Sequence, residues 1–132
     1  MIHISYYSVI RMQASVRRGE VLNIGVLIHD SIEHMTHLSL LPSSHPKIVA
    51  LVATQMRPEV YDDLIDYFSE AVHQLETNGI DLFEKDSDKH PASQSIHFLK
   101  EQELITMSEP IPVRKKADHK SLLETLMSIY VN

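Results

Sequence analysis

The first predicted hairpin of the chain has an unusual polar centre. Arg11 closes its first strand, and Glu20, Asn23 and Gly25 lie along its second strand. A hairpin that only has to fold favours apolar and β-branched residues at such positions. A carboxylate beside a guanidinium can steer a proton, and an amide can bind a ligand or a backbone group. This polar set is therefore the first candidate for a functional site.

Two interpretations of the polar set remain open at this point. In the structural one, Arg11 and Glu20 lie opposite each other as a cross-strand ion pair. Asn23 then binds the backbone of a bulge or loop, and Gly25 lets a helix or another chain approach closely. In the functional interpretation, the same side chains bind a partner or a ligand.

Catalysis is the less favoured use of this region. Glu20 with Asp30 or His29 would form an acid–base pair. However, the chain has no nucleophile motif and no phosphate-binding loop among its 3 glycines. We therefore expect no catalytic residue and no cofactor, and a binding protein rather than an enzyme.

Composition restricts the class of protein. A chain of 132 residues with 43% hydrophobic residues suits one ordinary domain, taken as 1–132. No apolar run approaches the ~18 residues of a membrane span, and no secretion signal is recognised at the start. The cysteine count is 0, so neither disulfides nor cysteine-bound zinc is expected. These features favour the cytoplasm and no membrane partner.

The charge balance argues against a nucleic-acid partner. The net charge is -6 with histidine neutral, whereas binding to a phosphate backbone depends on lysine and arginine. Arg11, Arg17 and Arg18 cluster at the hairpin, and a second basic run covers 114–116. Both clusters are shorter than a typical nucleic-acid-binding tail.

Histidine is frequent in this chain, with 9 residues, but no metal motif is present. His34 and His37 are three residues apart on a predicted strand, so their side chains point to opposite faces. We therefore expect no metal site.

The first part of the chain predicts an antiparallel meander, and one more strand is expected later. The predicted strands are 4–11, 21–29, 35–41 and 104–108. The middle strand is apolar on both faces, which indicates cover on both sides, or on one side plus a partner. Extended backbone is expected at Pro110 and Pro112.

Helical periodicity follows the meander. Apolar residues recur at three- and four-residue steps between Pro58 and Asn78-Gly79, which predicts an amphipathic helix of about five turns. Further helices are predicted at 47–56 and 118–131, a flexible polar loop at about 84–95, and either helix or strand at 96–103. The expected fold is α+β: an antiparallel sheet of the meander plus one later strand, with two or three helices packed on one face.

The hairpin resembles a known family signature. The matching segments are Tyr6-Tyr7-Ser8-Val9-Ile10-Arg11 and Arg18-Gly19-Glu20-x-x-Asn23-Ile24-Gly25-Val26. They are similar to the opening of the bacterial Domain of Unknown Function family 3037. The resemblance is specific in the N-terminal third, over 4–29, and general beyond it. It implies no activity, but similar proteins are encoded beside HipA-like kinases and in mobile elements.

The resulting hypothesis is a non-enzymatic protein-binding accessory module in a toxin–antitoxin or phage-defence setting. A HipA-like kinase is the partner that the resemblance implies, and a second copy of the chain is the other candidate. The alternative is a small metal-dependent hydrolase or nuclease using Glu20 and nearby acids or histidines. The candidate binding residues are charged or amide side chains: Arg11, Arg17, Arg18, Glu20, Asn23, Asp62, Asp63 and Asp66.

Overall fold

The computed structural model describes residues 5–15, 20–30, 35–54, 57–79, 91–102, 104–113 and 119–131. These residues form the strands and helices β1 (Ser5–Ser15), β2 (Glu20–Asp30), β3 (Met35–Leu40), α1 (Pro46–Thr54), α2 (Pro58–Thr77), α3 (Pro91–Glu101), β4 (Ile105–Met107), β5 (Ile111–Val113) and α4 (His119–Tyr130). None of the described helices is both long and apolar enough to cross a membrane.

The strands form one antiparallel sheet in the order β3-β2-β1-β4, with β5 also paired to β1. The predicted meander is confirmed as β1, β2 and β3, and the predicted later strand as β4. Pro112 lies in β5 opposite Tyr6, so the expected extended backbone here is confirmed as an additional short strand. Ser108 links the two strands to β1, since its hydroxyl accepts the Val9 N–H at 2.8 Å.

Helices cover the sheet more fully than expected. Every residue of β2 from Ile24 to Asp30 is buried, so side chains on both faces of this strand are covered. One face carries Tyr7 and Asn23, which contact the end of α4. The prediction of two or three helices is corrected to four among the described residues. The additional one is α3, whose segment has too few regularly spaced apolar residues to stand out from a loop.

The amphipathic helix is confirmed as α2. It begins at Pro58, where the missing N–H costs little, and Asn78 follows its last residue. Gly79 then takes a φ of 67°, the left-handed conformation that ends many helices. Its inward face consists of the buried residues Tyr61, Phe68, Ala71, Val72 and Leu75. The Tyr61 hydroxyl donates to the Leu41 carbonyl at 2.5 Å, which joins α2 to the end of β3.

Two boundaries differ from the prediction by more than two residues. β1 continues to Ser15, beyond the predicted end of this strand at Arg11. The expected loop at 84–95 lies outside the described residues up to 90, but 91–95 form the first part of α3. Pro91 starts that helix, because proline fits the first helical position as well as it fits a loop. The ambiguous segment 96–103 is helical through Glu101.

Candidate functional site

The hairpin residues do not pair as expected. Arg11 lies opposite Asn23, and Glu20 lies opposite Ser15, so the predicted cross-strand pair of Arg11 and Glu20 is wrong. The cause is that β1 continues to Ser15, which moves the partner of Arg11 away from Glu20 along β2. A one-residue shift between Ile10 and Arg11 then makes that partner Asn23 rather than Ile24. Such a bulge places an extra residue of β2 in the ladder and changes which side chains meet.

Asn23 links the hairpin to the C-terminal helix. Its amide Nδ2 donates to the Tyr130 carbonyl oxygen at 2.9 Å. Its Oδ1 accepts the Nε–H of the exposed Arg11 at 3.3 Å. The last carbonyls of a helix have no partner within the helix, so a side-chain amide there acts as a cap. Asn23 thus binds backbone, as the structural interpretation proposed, and the backbone is that of the last turn of α4.

Two more side chains hold the same end of α4. The hydroxyls of Tyr7 and Tyr130 lie 2.9 Å apart, and Lys47 Nζ donates to the Val131 carbonyl oxygen. The hydrogen bond to Tyr130, together with burial, raises the pKa of Tyr7 to about 12. We call Tyr7, Asn23 and Lys47 the α4 clamp. It is built from three separate elements: β1, β2 and α1.

Gly25 permits a close approach, and the approaching segment is β3. A Cβ at this position would lie 2.6 Å from Leu40 Cδ2 and even closer to the Ser39 carbonyl oxygen. Such distances are shorter than van der Waals contact, so a side chain here would displace the neighbouring strand. The glycine is therefore needed for the sheet itself.

Three hairpin candidates remain: Arg17, Arg18 and Glu20. Arg17 and Arg18 lie outside the described residues, as does the side chain of Glu20. The backbone still separates Glu20 from Asp30, because they stand at opposite ends of β2. At ~3.4 Å per residue, an extended strand of this length holds them too far apart to act on one substrate. An acid–base pair of Glu20 with Asp30 or His29 is thus excluded.

A second candidate surface lies on the outward side of α2. Asp62, Asp63 and Asp66 are all exposed, as their spacing on an amphipathic helix predicted. On the same side, Val60 and Tyr67 keep 42% and 46% of their surface exposed. We call this surface the acidic face, and it consists of Glu59, Val60, Asp62, Asp63, Asp66, Tyr67 and Glu70.

The acidic face concentrates the charge of the molecule. Five of the six acidic residues between Pro58 and Thr77 lie on this face, and the same segment has no lysine or arginine. No described basic side chain forms an ion pair with Asp62, Asp63 or Asp66. Burial of Tyr61, and in second place the nearby Asp62 carboxylate, raises the pKa of Tyr61 to about 12.

A third polar group was not anticipated from the sequence. His119, the first residue of α4, has its Nε2 at 3.3 Å from Asp30 Oδ2, and the Asp30 side chain is 0% exposed. The His119 ring stacks on His37, with ring centroids 4.7 Å apart. We call these residues the Asp30–His37–His119 cluster. The high histidine count was a weak signal, but nothing local connects residues so distant along the chain.

Metal binding has no support among the residues that the structure describes. No group of three or more histidine or acidic side chains there is arranged to hold a metal ion. His34, one of the two histidines considered for such a site, lies outside these residues. The second basic run, at 114–116, also lies outside them.

The fold and its contacts define an α+β domain whose C-terminal helix is fastened to an N-terminal hairpin. The family model described as "Protein of unknown function (DUF3037)" matches residues 7–131. The chain therefore belongs to this family. The match covers nearly the whole chain, so the resemblance is not restricted to the N-terminal third. No curated protein and no solved structure gives a significant match.

Proposed function

We propose that this domain is a non-enzymatic protein-binding module that binds a partner with a basic surface through the acidic face. The observation that carries the proposal is the combination of exposed carboxylates with two half-exposed apolar side chains on one helix, without any lysine or arginine. A solvated helix face would not require Tyr67 and Val60 to be exposed together on the same side.

The acidic face has the properties of a recognition surface. Tyrosine is enriched among residues that dominate binding energy, because it buries a large area at low conformational cost. Val60, Asp63 and Tyr67 are spaced three and four residues apart, so they follow one line along the helix. Surrounding carboxylates would steer a basic partner and reject an acidic one. Because the opposite face of α2 is packed in the core, little ordering is needed upon binding.

The biological setting is also part of this proposal. The family resemblance favours a toxin–antitoxin or phage-defence context, with a HipA-like kinase as the first partner to test and a second copy of the chain as the next. The cysteine count of 0 is compatible with a reducing cytoplasm, which we propose as the compartment. Arg17, Arg18 and Glu20 remain candidate contacts at the hairpin.

Site-specific photo-crosslinking tests the proposal. A photoreactive phenylalanine analogue replaces Tyr67 in the acidic face, and in a matched control it replaces Phe98, which is 52% exposed on α3. We expect one crosslinked protein from position 67 at near-native expression, with the attachment mapped to a basic surface. Position 98 should give no more than background. Crosslinks that form equally from both positions, or only from position 98, would reject the acidic face as the binding surface.

The second candidate function is a small metal-dependent hydrolase or nuclease. The contact between His119 and the buried Asp30 is the observation that favours it, because a carboxylate often orients a catalytic histidine. Activity screens with divalent metals test this function: His119→Gln tests the contact with Asp30, and Glu20→Gln separately tests a site at the other end of β2. Loss of a measurable activity in a folded variant would support an enzyme, and uniformly flat screens would reject it.

A further inference from the structure

The two edges of the described sheet differ in how they are protected. One edge is formed by β4 and β5, which have only 3 residues each, and Pro112 in β5 has no N–H for another strand. The other edge is β3, whose 6 residues include neither proline nor lysine. Short strands, proline and lysine are common means by which proteins prevent edge-to-edge pairing. β3 therefore lacks the protection that the opposite edge has.

Alternate residues of β3 direct their backbone groups away from β2. The Leu41 N–H donates to a carbonyl oxygen of β2, whereas the Thr36 N–H donates to the Glu76 carboxylate at 3.1 Å. Because backbone groups alternate in direction along an antiparallel strand, Leu38 and Leu40 share the outward direction of Thr36. Within the described part of the chain, the N–H groups of Leu38 and Leu40 have no hydrogen-bond partner.

The edge of β3 is accessible to another strand. Every residue of β3 after Met35 is partly exposed, whereas β2, which is paired on both sides, is buried throughout 24–30. Helix α2 reaches this edge through Glu76, which occupies the Thr36 N–H. Beyond Thr36, the outward backbone groups of the strand are therefore available for pairing.

The distribution of charge indicates which strand would pair there. The segment 35–46 contains β3 and the start of α1, and it has no aspartate, glutamate, lysine or arginine, in a chain of net charge -6. Two copies that approach each other through this segment meet the least like-charge repulsion. A basic partner would gain no attraction from an uncharged edge, and two acidic faces in a symmetric contact would repel each other. The edge thus suits a second copy of this chain.

We propose that the domain forms a homodimer through antiparallel pairing of β3 with β3 of a second copy. A two-fold axis at Leu38 places the two Leu38 residues opposite each other, and Thr36 opposite Leu40 of the second copy. The N–H groups of Leu38 and Leu40 in both copies then donate about four hydrogen bonds, while Glu76 keeps the Thr36 N–H. The two sheets become one continuous sheet, and the acidic face of each copy takes no part in the contact.

Sedimentation velocity between about 1 and 500 μM protein tests the dimer. We expect the wild-type sedimentation coefficient to rise with concentration as dimers form. Ser39→Lys adds an ammonium group to each edge, and we expect it to weaken the dimer by at least about tenfold. Ile111→Lys is the matched control, because Ile111 is 40% exposed in β5 at the opposite edge, and it should leave the dimer unchanged.

Three outcomes of this experiment would overturn the proposal. The first is a wild-type protein that stays monomeric over the whole concentration range. The second is a dimer that Ser39→Lys does not weaken, and the third is equal weakening by Ser39→Lys and Ile111→Lys. Circular dichroism establishes that each variant is folded before its sedimentation is compared.

A disulfide measurement tests the pairing of β3 without the Ser39→Lys variant. The chain has 0 cysteines, so an introduced thiol reports only on its own position. With the axis at Leu38, His37 lies opposite Ser39 of the second copy as a non-hydrogen-bonded pair, with Cα atoms ~4.5 Å apart, which suits a disulfide. Mixed His37→Cys and Ser39→Cys chains should therefore form a disulfide-linked heterodimer upon oxidation, whereas mixed Ile111→Cys and Ser39→Cys chains should not. Absence of the first heterodimer at concentrations where the wild-type protein is dimeric would overturn the pairing.

Discussion

The last turn of α4 and the outward side of α2 are both rich in polar groups, but they use them differently. In the last turn of α4, the polar side chains have partners within the molecule: Asn23 and Lys47 bind carbonyl oxygens, and Tyr7 binds a hydroxyl. On the acidic face, Asp62, Asp63 and Asp66 have no described basic partner. The comparison separates residues that serve folding from those available for recognition.

This difference gives the family signature a physical meaning. The resemblance rests on hairpin residues such as Asn23 and Gly25, whose contacts lie inside the domain. The acidic face lies outside that signature, on the helix that provides much of the core. A signature can therefore identify a fold through residues that close it, and the binding surface proposed on α2 lies outside those residues.

The largest loss of folding stability is expected from Gly25→Ala. The new Cβ would collide with β3, so we expect the free energy of unfolding to fall by about 3 kcal/mol in urea denaturation. Gly79→Ala is the matched control, because Gly79 has a φ of 67° but no atom within 4 Å of an added Cβ. It should cost about 1–2 kcal/mol through backbone strain alone. Equal losses in the two variants would contradict the close approach of β3.

A smaller loss of folding stability is expected when a side chain of the α4 clamp is removed. Asn23→Ala removes the donor to the Tyr130 carbonyl and should lower the free energy of unfolding by about 1–2 kcal/mol. Arg11→Ala removes only an exposed contact of 3.3 Å and should cost less than about 0.5 kcal/mol. If the arginine variant is the less stable of the two, the role assigned to Asn23 is incorrect.

The hairpin shows which features of the fold are predictable from the sequence and which are not. Its strands follow from β-branched and aromatic residues, and the period of α2 follows from apolar residues between Pro58 and Gly79. The pairing of Arg11 could not be predicted, because it depends on how far β1 extends and on two register shifts that have no local sequence signal. The need for glycine at position 25 was expected, but the neighbouring segment was not, since β3 approaches through tertiary packing.

The contacts of α4 could not be predicted from local sequence patterns either, because they join residues that are distant along the chain. Asn23 and Tyr130, like Asp30 and His119, are brought together only when the helix folds back onto the sheet. Periodicity predicts that such a helix exists and which face is apolar, but it does not give the position of the helix along a strand. The exposure of Asp62, Asp63 and Asp66 was predictable because it depends on helical spacing alone.

Alkaline pH should lower the stability of the interior, where burial is the first cause of the raised pKa of Tyr61 and the Asp62 carboxylate is the second. The pKa values of Tyr7 and Tyr61 are raised to about 12 in the folded state, above the ordinary value of 10.0. Between these values the unfolded chain loses the tyrosine protons first, so the free energy of unfolding falls as the pH rises. Urea denaturation at several pH values above 9 measures the decline. Combined Tyr7→Phe and Tyr61→Phe substitutions should flatten it, whereas Tyr67→Phe should leave it in place.

The smallest effect on stability is expected from the acidic face itself. Replacing Asp62, Asp63 and Asp66 with asparagine removes three exposed charges that have no described ion-pair partner. The free energy of unfolding should change by less than about 0.5 kcal/mol per substitution. A large loss in urea denaturation would mean that these carboxylates support the fold, and would remove the contrast with the α4 clamp.

Binding through the acidic face is tested most directly by quantitative affinity capture, at near-native expression, of the protein that crosslinks from position 67. It compares the wild-type domain, the Asp62→Asn, Asp63→Asn, Asp66→Asn triple variant and Asn23→Ala, each normalised to its folded fraction. We predict that the triple variant loses the partner by at least about tenfold, while Asn23→Ala retains it. If the triple variant retains the partner and Asn23→Ala loses it, the role proposed for the acidic face is contradicted, because recognition would then depend on the hairpin.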